Sequence, residues 1–283
     1  MTIRHVPTPL ATASCLALAC LLAAACATQG TTPKTSRHTT PQAVLTTPLT
    51  DAAWQSSQWI AVADAPVVSG PVDEHRNGRA ADGASWFVST VRNEQRVTSA
   101  RWMTTALGIY ELFVNGQSVG KEILKPGFTH PTKTRRSFTY DITPLLKKRT
   151  GECNELAIQV TPGWWADKIV TPSGHEGMVG GKCAFRGVLE LTYADGSRLT
   201  YPTDPEHWRA TIAGPVTHAA IFDGEEYDAR QQFTSLQPSQ FSVPEVSTAF
   251  SGDILPTSGA EVYLRHDLAL QPQGLCVAWC ERC

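Results

Sequence analysis

The sequence has no G-x-S-x-G pentapeptide, so it offers no nucleophile elbow on which a hydrolase serine would stand. It has no H-E-x-x-H and no two histidines four residues apart. His75, His130, His175, His207, His218 and His266 are dispersed, which argues against a zinc centre. No glycine-rich loop of the phosphate-cradling kind occurs, and no EF-hand pattern. Charge of one sign never accumulates. There are 24 Lys and Arg against 26 Asp and Glu, for a net charge of −2, and no basic stripe, so nucleic acid is excluded as a partner. Past the leader there is no long run with helical periodicity and no internal repeat of fixed period.

What is present begins with that leader. Arg4 and His5 make a short basic start, and Leu10 to Cys26 is almost entirely apolar or small. That length suits a signal-peptide core and is short for a membrane span. Ala23, Ala24 and Ala25 run into Cys26, the arrangement of a bacterial lipoprotein cleavage site, with Cys26 as the lipid-bearing residue. An ordinary secretory cut near Ala25 or Ala27 is the alternative. Either way the chain is expected to be exported, to the periplasm or to the outer membrane or cell surface, with a lipid anchor as its link to the membrane. Residues 27–50, rich in Thr, Pro, Ser and Ala, read as a tether.

The remaining cysteines fall in two places. Export permits a disulfide between Cys153 and Cys183, although spacing alone cannot bring their Cα atoms together. Cys276, Cys280 and Cys283 form C-x3-C-x2-C at the extreme C-terminus. That spacing fits an iron–sulfur cluster on paper, but in an exported chain a shifted reading frame or a truncated end explains it better.

Residues 51–240 read as all-β. Ser85 to Val91 is a strand. Ala100 to Val114 is a strand pair or a bent strand, in whose second half Tyr110, Leu112 and Val114 alternate with Glu111 and Phe113. The alternation stops at Asn115-Gly116, a strong hairpin signal because both central residues of a type I′ turn need positive φ. Ser137 to Ile142 is another strand, followed by a short helical turn with Thr143 as cap and Pro144 at its first position. Leu156, Ile158 and Val160 alternate in a further strand. Val188 to Tyr193 turns at Asp195-Gly196 and returns through Leu199-Thr200-Tyr201, and Trp208 to Ile212 is one more candidate. Many short strands with regular turns predict a β-sandwich, plausibly a jelly roll. Thr171 to Lys182 reads as a long loop at the rim.

Two groups can carry chemistry. Asp223, Glu225, Glu226 and Asp228 crowd into one short stretch with Arg230. They read as an acidic loop in which Arg230 pairs one acid, with a calcium site as the minority alternative. In Gly163-Trp164-Trp165-Ala166-Asp167-Lys168, two adjacent tryptophans cannot both face the core if the strand continues. One is then a surface platform for a pyranose, with Asp167 or Lys168 bonding its hydroxyls. Alternatively both cover the open end of the sandwich.

The ordered set Ala106-Leu107-Gly108-Ile109-Tyr110-Glu111-Leu112-Phe113-Val114-Asn115-Gly116, Pro126-Gly127-Phe128-Thr129, Tyr140-Asp141-Ile142-Thr143, Gly163-Trp164-Trp165, Tyr193-Ala194-Asp195-Gly196-Ser197 and Tyr227-Asp228-Ala229-Arg230 resembles the N-terminal β-domain of bacterial α-L-rhamnosidases, in glycoside hydrolase family 78. The similarity covers roughly residues 55 to 235, and its specificity lies in motif order rather than in any one motif. The resemblance implies an accessory carbohydrate-recognition domain for rhamnose-containing glycans. The family's catalytic acids sit in a helical (α/α)6 barrel that follows the β-domains, so no catalytic residue is carried over and the chain alone is expected to be inactive. Residues 241–283 read as a truncated connection toward that downstream domain. No cofactor is certain; some related domains use calcium. A small glycosidase acting through the Asp223–Asp228 cluster, and a structural module packing on a separately encoded catalytic barrel, remain the alternatives.

Overall fold

A computed structural model describes residues 43–65, 83–171, 174–177, 181–221, 224–234, 236, 238–257 and 261–270, with side chains omitted over 168–180. The leader, Cys26, Asp223 and the three C-terminal cysteines lie outside the described residues.

Two antiparallel sheets face each other. The larger has eight strands. Its spine is β8 (Thr134–Asp141), β4 (Val97–Leu107) and β12 (Ala184–Tyr193). Short strands build the flanks, two along β8 and three along β12. Along β8 these are β1 (Val44–Leu45) and the parallel β18 (Asp253–Pro256). Along β12 they are β2 (Ile60–Ala61), itself extended by β17 (Glu245–Val246), and β13 (Arg198–Pro202). The smaller sheet has five strands in the order β14 (Arg209–Thr211), β3 (Ser85–Arg92), β9 (Cys153–Thr161), β5 (Ile109–Val114) and β6 (Gln117–Ser118). Three two-stranded ladders complete the fold: β7 (Glu122–Ile123) with β19 (Val262–Tyr263), β10 (Lys168–Thr171) with β11 (Gly174–Gly177), and β15 (Val216–Ala220) with β16 (Gly224–Tyr227).

The core lies between the sheets and follows the alternation seen in the sequence. Tyr110, Leu112 and Val114 of β5 and Leu156, Ile158 and Val160 of β9 all point inward, with Phe87 and Val91 of β3. From the other sheet come Trp102, Phe185, Leu189 and Leu191. Burying side chains of this size stabilises by about 1.5–3 kcal/mol each. At the centre Trp102 stacks on Trp208 with ring centroids 6.5 Å apart, and Phe185 meets both. The Trp208 indole N–H donates to the Pro202 carbonyl at 3.2 Å, as a buried donor must.

One residue moves the chain from sheet to sheet. β4 ends at Leu107 in the large sheet and β5 begins at Ile109 in the small one. Gly108 between them has φ 133°, and a Cβ there would lie 2.3 Å from the Thr161 carbonyl oxygen. Only glycine fits the corner.

Both expected hairpins form. Asn115 and Gly116 take φ 50° and 76° between β5 and β6. The Asn115 side chain donates to the Leu145 carbonyl and to Asn154 Oδ1 and accepts the Glu155 N–H. The second hairpin joins β12 to β13 through Ala194-Asp195-Gly196, with Asp195 Oδ1 accepting the Ser197 N–H and hydroxyl.

Five expectations are revised. The tether ends early: Ala43 and Leu49 are buried and Val44–Leu45 pairs with β8, because these apolar side chains find the sheet edge. Thr143 does not cap the turn Thr143–Leu145; its Oγ1 accepts the Ala100 N–H at 2.8 Å, while Asp141 Oδ1 takes the Thr143 N–H. The expected rim loop holds a strand, β11, which pairs with β10 just before it. The connection after residue 240 is not a bare connector, since β17, β18 and β19 each pair with strands of the domain. No disulfide joins Cys153 and Cys183. Cys183 precedes Ala184, which pairs with Leu107 beside Ile109, and Ile109 pairs with Thr161. Cys153 begins the strand that Thr161 ends, so the two cysteines sit toward opposite ends of a nine-residue strand that rises ~3.3 Å per residue.

Candidate carbohydrate-binding site

The corner at Gly108 also builds the end of the sandwich where the paired tryptophans sit. After β9 the chain makes one helical turn, α1 (Gly163–Ala166). Successive helical residues point about 100° apart, so the turn separates Trp164 from Trp165 as a strand would have done, by different geometry. Trp165 goes inward at 2 % exposure, among Trp59, Leu107 and Phe250, and its indole N–H donates to the Lys182 carbonyl at 3.1 Å. Trp164 stays half-buried and meets Phe128 edge-to-face, centroids 6.3 Å apart at 72°. Phe128 is 57 % exposed.

Between Trp164, Trp165 and the Gly108 corner lies a shallow notch of about 10 Å³, walled also by Pro126, Gly127, Thr129 and Arg135, room for about one water. Arg135 is buried and clamped, its guanidinium 5.0 Å from the Trp165 ring and 5.1 Å from Phe250. It donates to Thr129 Oγ1 and to the Thr134 carbonyl. Burial lowers its pKa to about 10, so it stays cationic at neutral pH. Among the described residues no carboxylate pairs with it.

The loop that carries Phe128 is propped from below. Lys125 is 1 % exposed, with its ammonium 5.6 and 5.5 Å from the Tyr110 and Tyr140 ring centroids and 3.4 Å from Glu111 Oε2. Burial pulls its pKa down and the Glu111 carboxylate pulls it back up. Glu111 is raised, by burial first, with Lys125 opposing. The buried Glu122 accepts the Tyr140 hydroxyl at 2.8 Å and, at 3.3 Å, that of Tyr263. This network ties the loop to β8 and to β19, and nothing in the residue order pointed to it. Phe128 and Arg135 were likewise missed as site residues. The Phe128 motif was visible, but its approach to Trp164 is a tertiary contact.

The other expected ligands lie elsewhere. Asp167 is 5 % exposed and its Oδ2 accepts the Ile221 N–H at 2.7 Å, so the carboxylate anchors the end of β15 instead of facing solvent. Lys168 opens β10, and its side chain lies outside the described residues. Glu225 and Glu226 are exposed on β16. Asp228 grips Arg230 through two bonds of 2.8 Å and takes the Arg230 N–H, contacts that hold its carboxyl well below the usual range. Among the described residues no three His, Cys, Asp or Glu side chains converge to hold a metal ion.

These features define a β-sandwich with an aromatic rim at one end. The sequence profile of the α-L-rhamnosidase N-terminal domain matches residues 95–254, and the chain belongs to that family. An α-L-rhamnosidase of Streptomyces avermitilis is 38 % identical over 138 residues, which are 49 % of this chain and 13 % of that protein. One from Formosa agariphila is 30 % identical over 193 residues, 64 % of this chain and 20 % of its own length. The chain thus spans no more than about a fifth of these relatives. The solved α-L-rhamnosidase of Aspergillus terreus superposes with a TM-score of 0.60 at 28 % identity, over 72 % of this chain and 23 % of its own. That of S. avermitilis, solved with L-rhamnose, gives 0.59 at 31 % identity, over 65 % of this chain and 18 % of its own.

Proposed function

We propose that this domain recognises or positions rhamnose-containing glycans for an α-L-rhamnosidase-like protein, and that it does so without cleaving them. The observation that carries the reading is the half-exposed Trp164, edge-to-face with the exposed Phe128, at a notch that Arg135 also lines. An aromatic face suits the apolar face of a pyranose and a fixed donor beneath it suits a hydroxyl. Family membership supports the substrate class. The acids support recognition over hydrolysis. A glycosidase places two carboxylates across the sugar, whereas Glu225 and Glu226 are strand neighbours that point to opposite faces, and Asp228 is held by Arg230.

The test is calorimetric titration of the purified chain with L-rhamnose and an aryl α-L-rhamnoside, with and without calcium. Saturable heat that weakens about tenfold in Trp164→Ala supports the reading, and no heat under either condition overturns it. Export and lipidation at Cys26 belong to the same proposal. Mass spectrometry of the mature N-terminus checks them, and an unmodified or uncleaved Cys26 would refute the anchor.

One observation favours a docking role in addition. Leu255, Val262, Leu264, Leu268 and Leu270 are all about half exposed or more along the C-terminal segment, where apolar side chains suit burial against another domain. Co-purification with a rhamnosidase catalytic domain that is lost on Leu264→Asp and Leu268→Asp tests it.

A further inference from the structure

We infer a second sugar-binding cleft on the outer face of the five-stranded sheet, shaped for a neutral pyranose. The outward side chains of a sheet that faces solvent are ordinarily polar. Here Trp86 of β3, 8 % exposed, and Phe113 of β5 point outward and stack, ring centroids 5.9 Å apart at 24°, within an apolar cluster that includes Val216, Phe233 and Leu236. Phe233 stands edge-on against Trp86 at 5.3 Å. Tyr227 of β16, 53 % exposed, forms the facing wall. The space between is about 440 Å³, within the usual range for small-molecule sites and far larger than the notch beside Trp164. The two share no lining residue.

The polar groups fit the same ligand. Gln159, Glu225 and Gln232 line the cleft, and among the described residues none of these side chains is engaged in a hydrogen bond or ion pair. Two amides and a carboxylate beside aromatic faces are the donors and acceptors that sugar hydroxyls need. Among the described residues Glu225 is the only charged group in the lining, so an acidic sugar meets a like charge there. The wall is also held in place. Asp228, next to Tyr227, is clamped by Arg230, and its N–H donates to the Pro215 carbonyl at 2.8 Å. A fixed ring loses little freedom when it stacks. This assigns a use to the Tyr227-Asp228-Ala229-Arg230 motif that the notch leaves idle.

The test titrates the purified chain with D-glucose, D-galactose, D-mannose and D-glucuronate, leaving out L-rhamnose, which the Trp164 notch would also draw. At least one neutral sugar is expected to bind. Tyr227→Ala should weaken that binding about tenfold, Tyr227→Phe should restore it, and Trp164→Ala should leave it unchanged. Glucuronate should bind about tenfold more weakly than glucose. Circular dichroism and thermal melting confirm that each variant is folded. The inference is overturned if no neutral sugar binds, if Tyr227→Ala has no effect, or if Trp164→Ala alone abolishes binding. The last result would leave the rhamnoside notch standing and remove only this cleft.

Discussion

Gly108→Ala should be among the most damaging single-methyl changes in the domain, and its size can be worked from the corner. The φ of 133° lies where an L side chain is rarely found, a penalty of about 1–2 kcal/mol. The new Cβ would also stand 2.3 Å from the Thr161 carbonyl oxygen and 2.7 Å from Val160 Cγ1. Thr161 pairs with Ile109 in the ladder, so relief requires the backbone of β9 to shift against β5 within the five-stranded sheet, about 1–3 kcal/mol more. The sum, about 2–5 kcal/mol, is a large part of the ~5–15 kcal/mol that holds a domain folded. Gly116→Ala is the control: its φ is also positive, at 76°, yet nothing lies within 4 Å of a Cβ there. It should lose only the conformational part, about 1–2 kcal/mol. Urea unfolding of both variants against the parent measures the difference. A Gly108→Ala loss within about 0.5 kcal/mol of the control would show that the corner is not sterically locked, and the account of how the chain changes sheets would fail.

Trp165→Ala should destabilise by about 3–5 kcal/mol, since it empties a packed site and bares one face of Arg135; a thermal shift of a degree or two would mean the ring is not the anchor described. Asp167→Ala should lose about 1–3 kcal/mol by orphaning the Ile221 N–H, while the affinity of the folded protein for rhamnosides stays the same; a drop in affinity would return Asp167 to the sugar site. Asn115→Ala should lose about 2–4 kcal/mol by chemical denaturation, combining the turn penalty with three broken side-chain bonds, and Asn115→Gly should recover only the turn. The Asp228 carboxyl titrates below its ordinary value of 3.8 because of Arg230 and Gln231. Its contribution is therefore present above pH 3.8 and lost as pH falls through the lower folded value. Hydrogen exchange at the Arg230 N–H should stay slow from neutral pH to about 4 and quicken, relative to its intrinsic rate, only in stronger acid. Quickening already at pH 5 would contradict the clamp.

Most of the sandwich was legible in the residue order, because strands and tight turns are local events. Tyr110, Leu112 and Val114 alternate along a single strand, and Asn115-Gly116 is a turn whose dihedrals are set by its own two residues. The ionic clamp at Asp228 was legible for the same reason: Arg230 is two residues away. The edges were harder to see. Val44–Leu45, Ile60–Ala61 and Glu245–Val246 are strands only because β8, β12 and β2 present open edges to them, and two-residue segments carry no period. The anchoring contact of Asp167 was hidden for a related reason. A carboxylate beside two tryptophans looks available until Ile221, 54 residues on, claims it.

The order of residues by itself determined that this chain would be a β-sandwich of the rhamnosidase N-terminal kind, since alternation and turn chemistry act between near neighbours. Tertiary structure alone decided which tryptophan faces out, which carboxylates are occupied, and that Trp86, Phe113 and Tyr227 line one cleft. Those outcomes depend on contacts between segments tens of residues apart, and closeness of that kind arises only when two sheets close over a shared core.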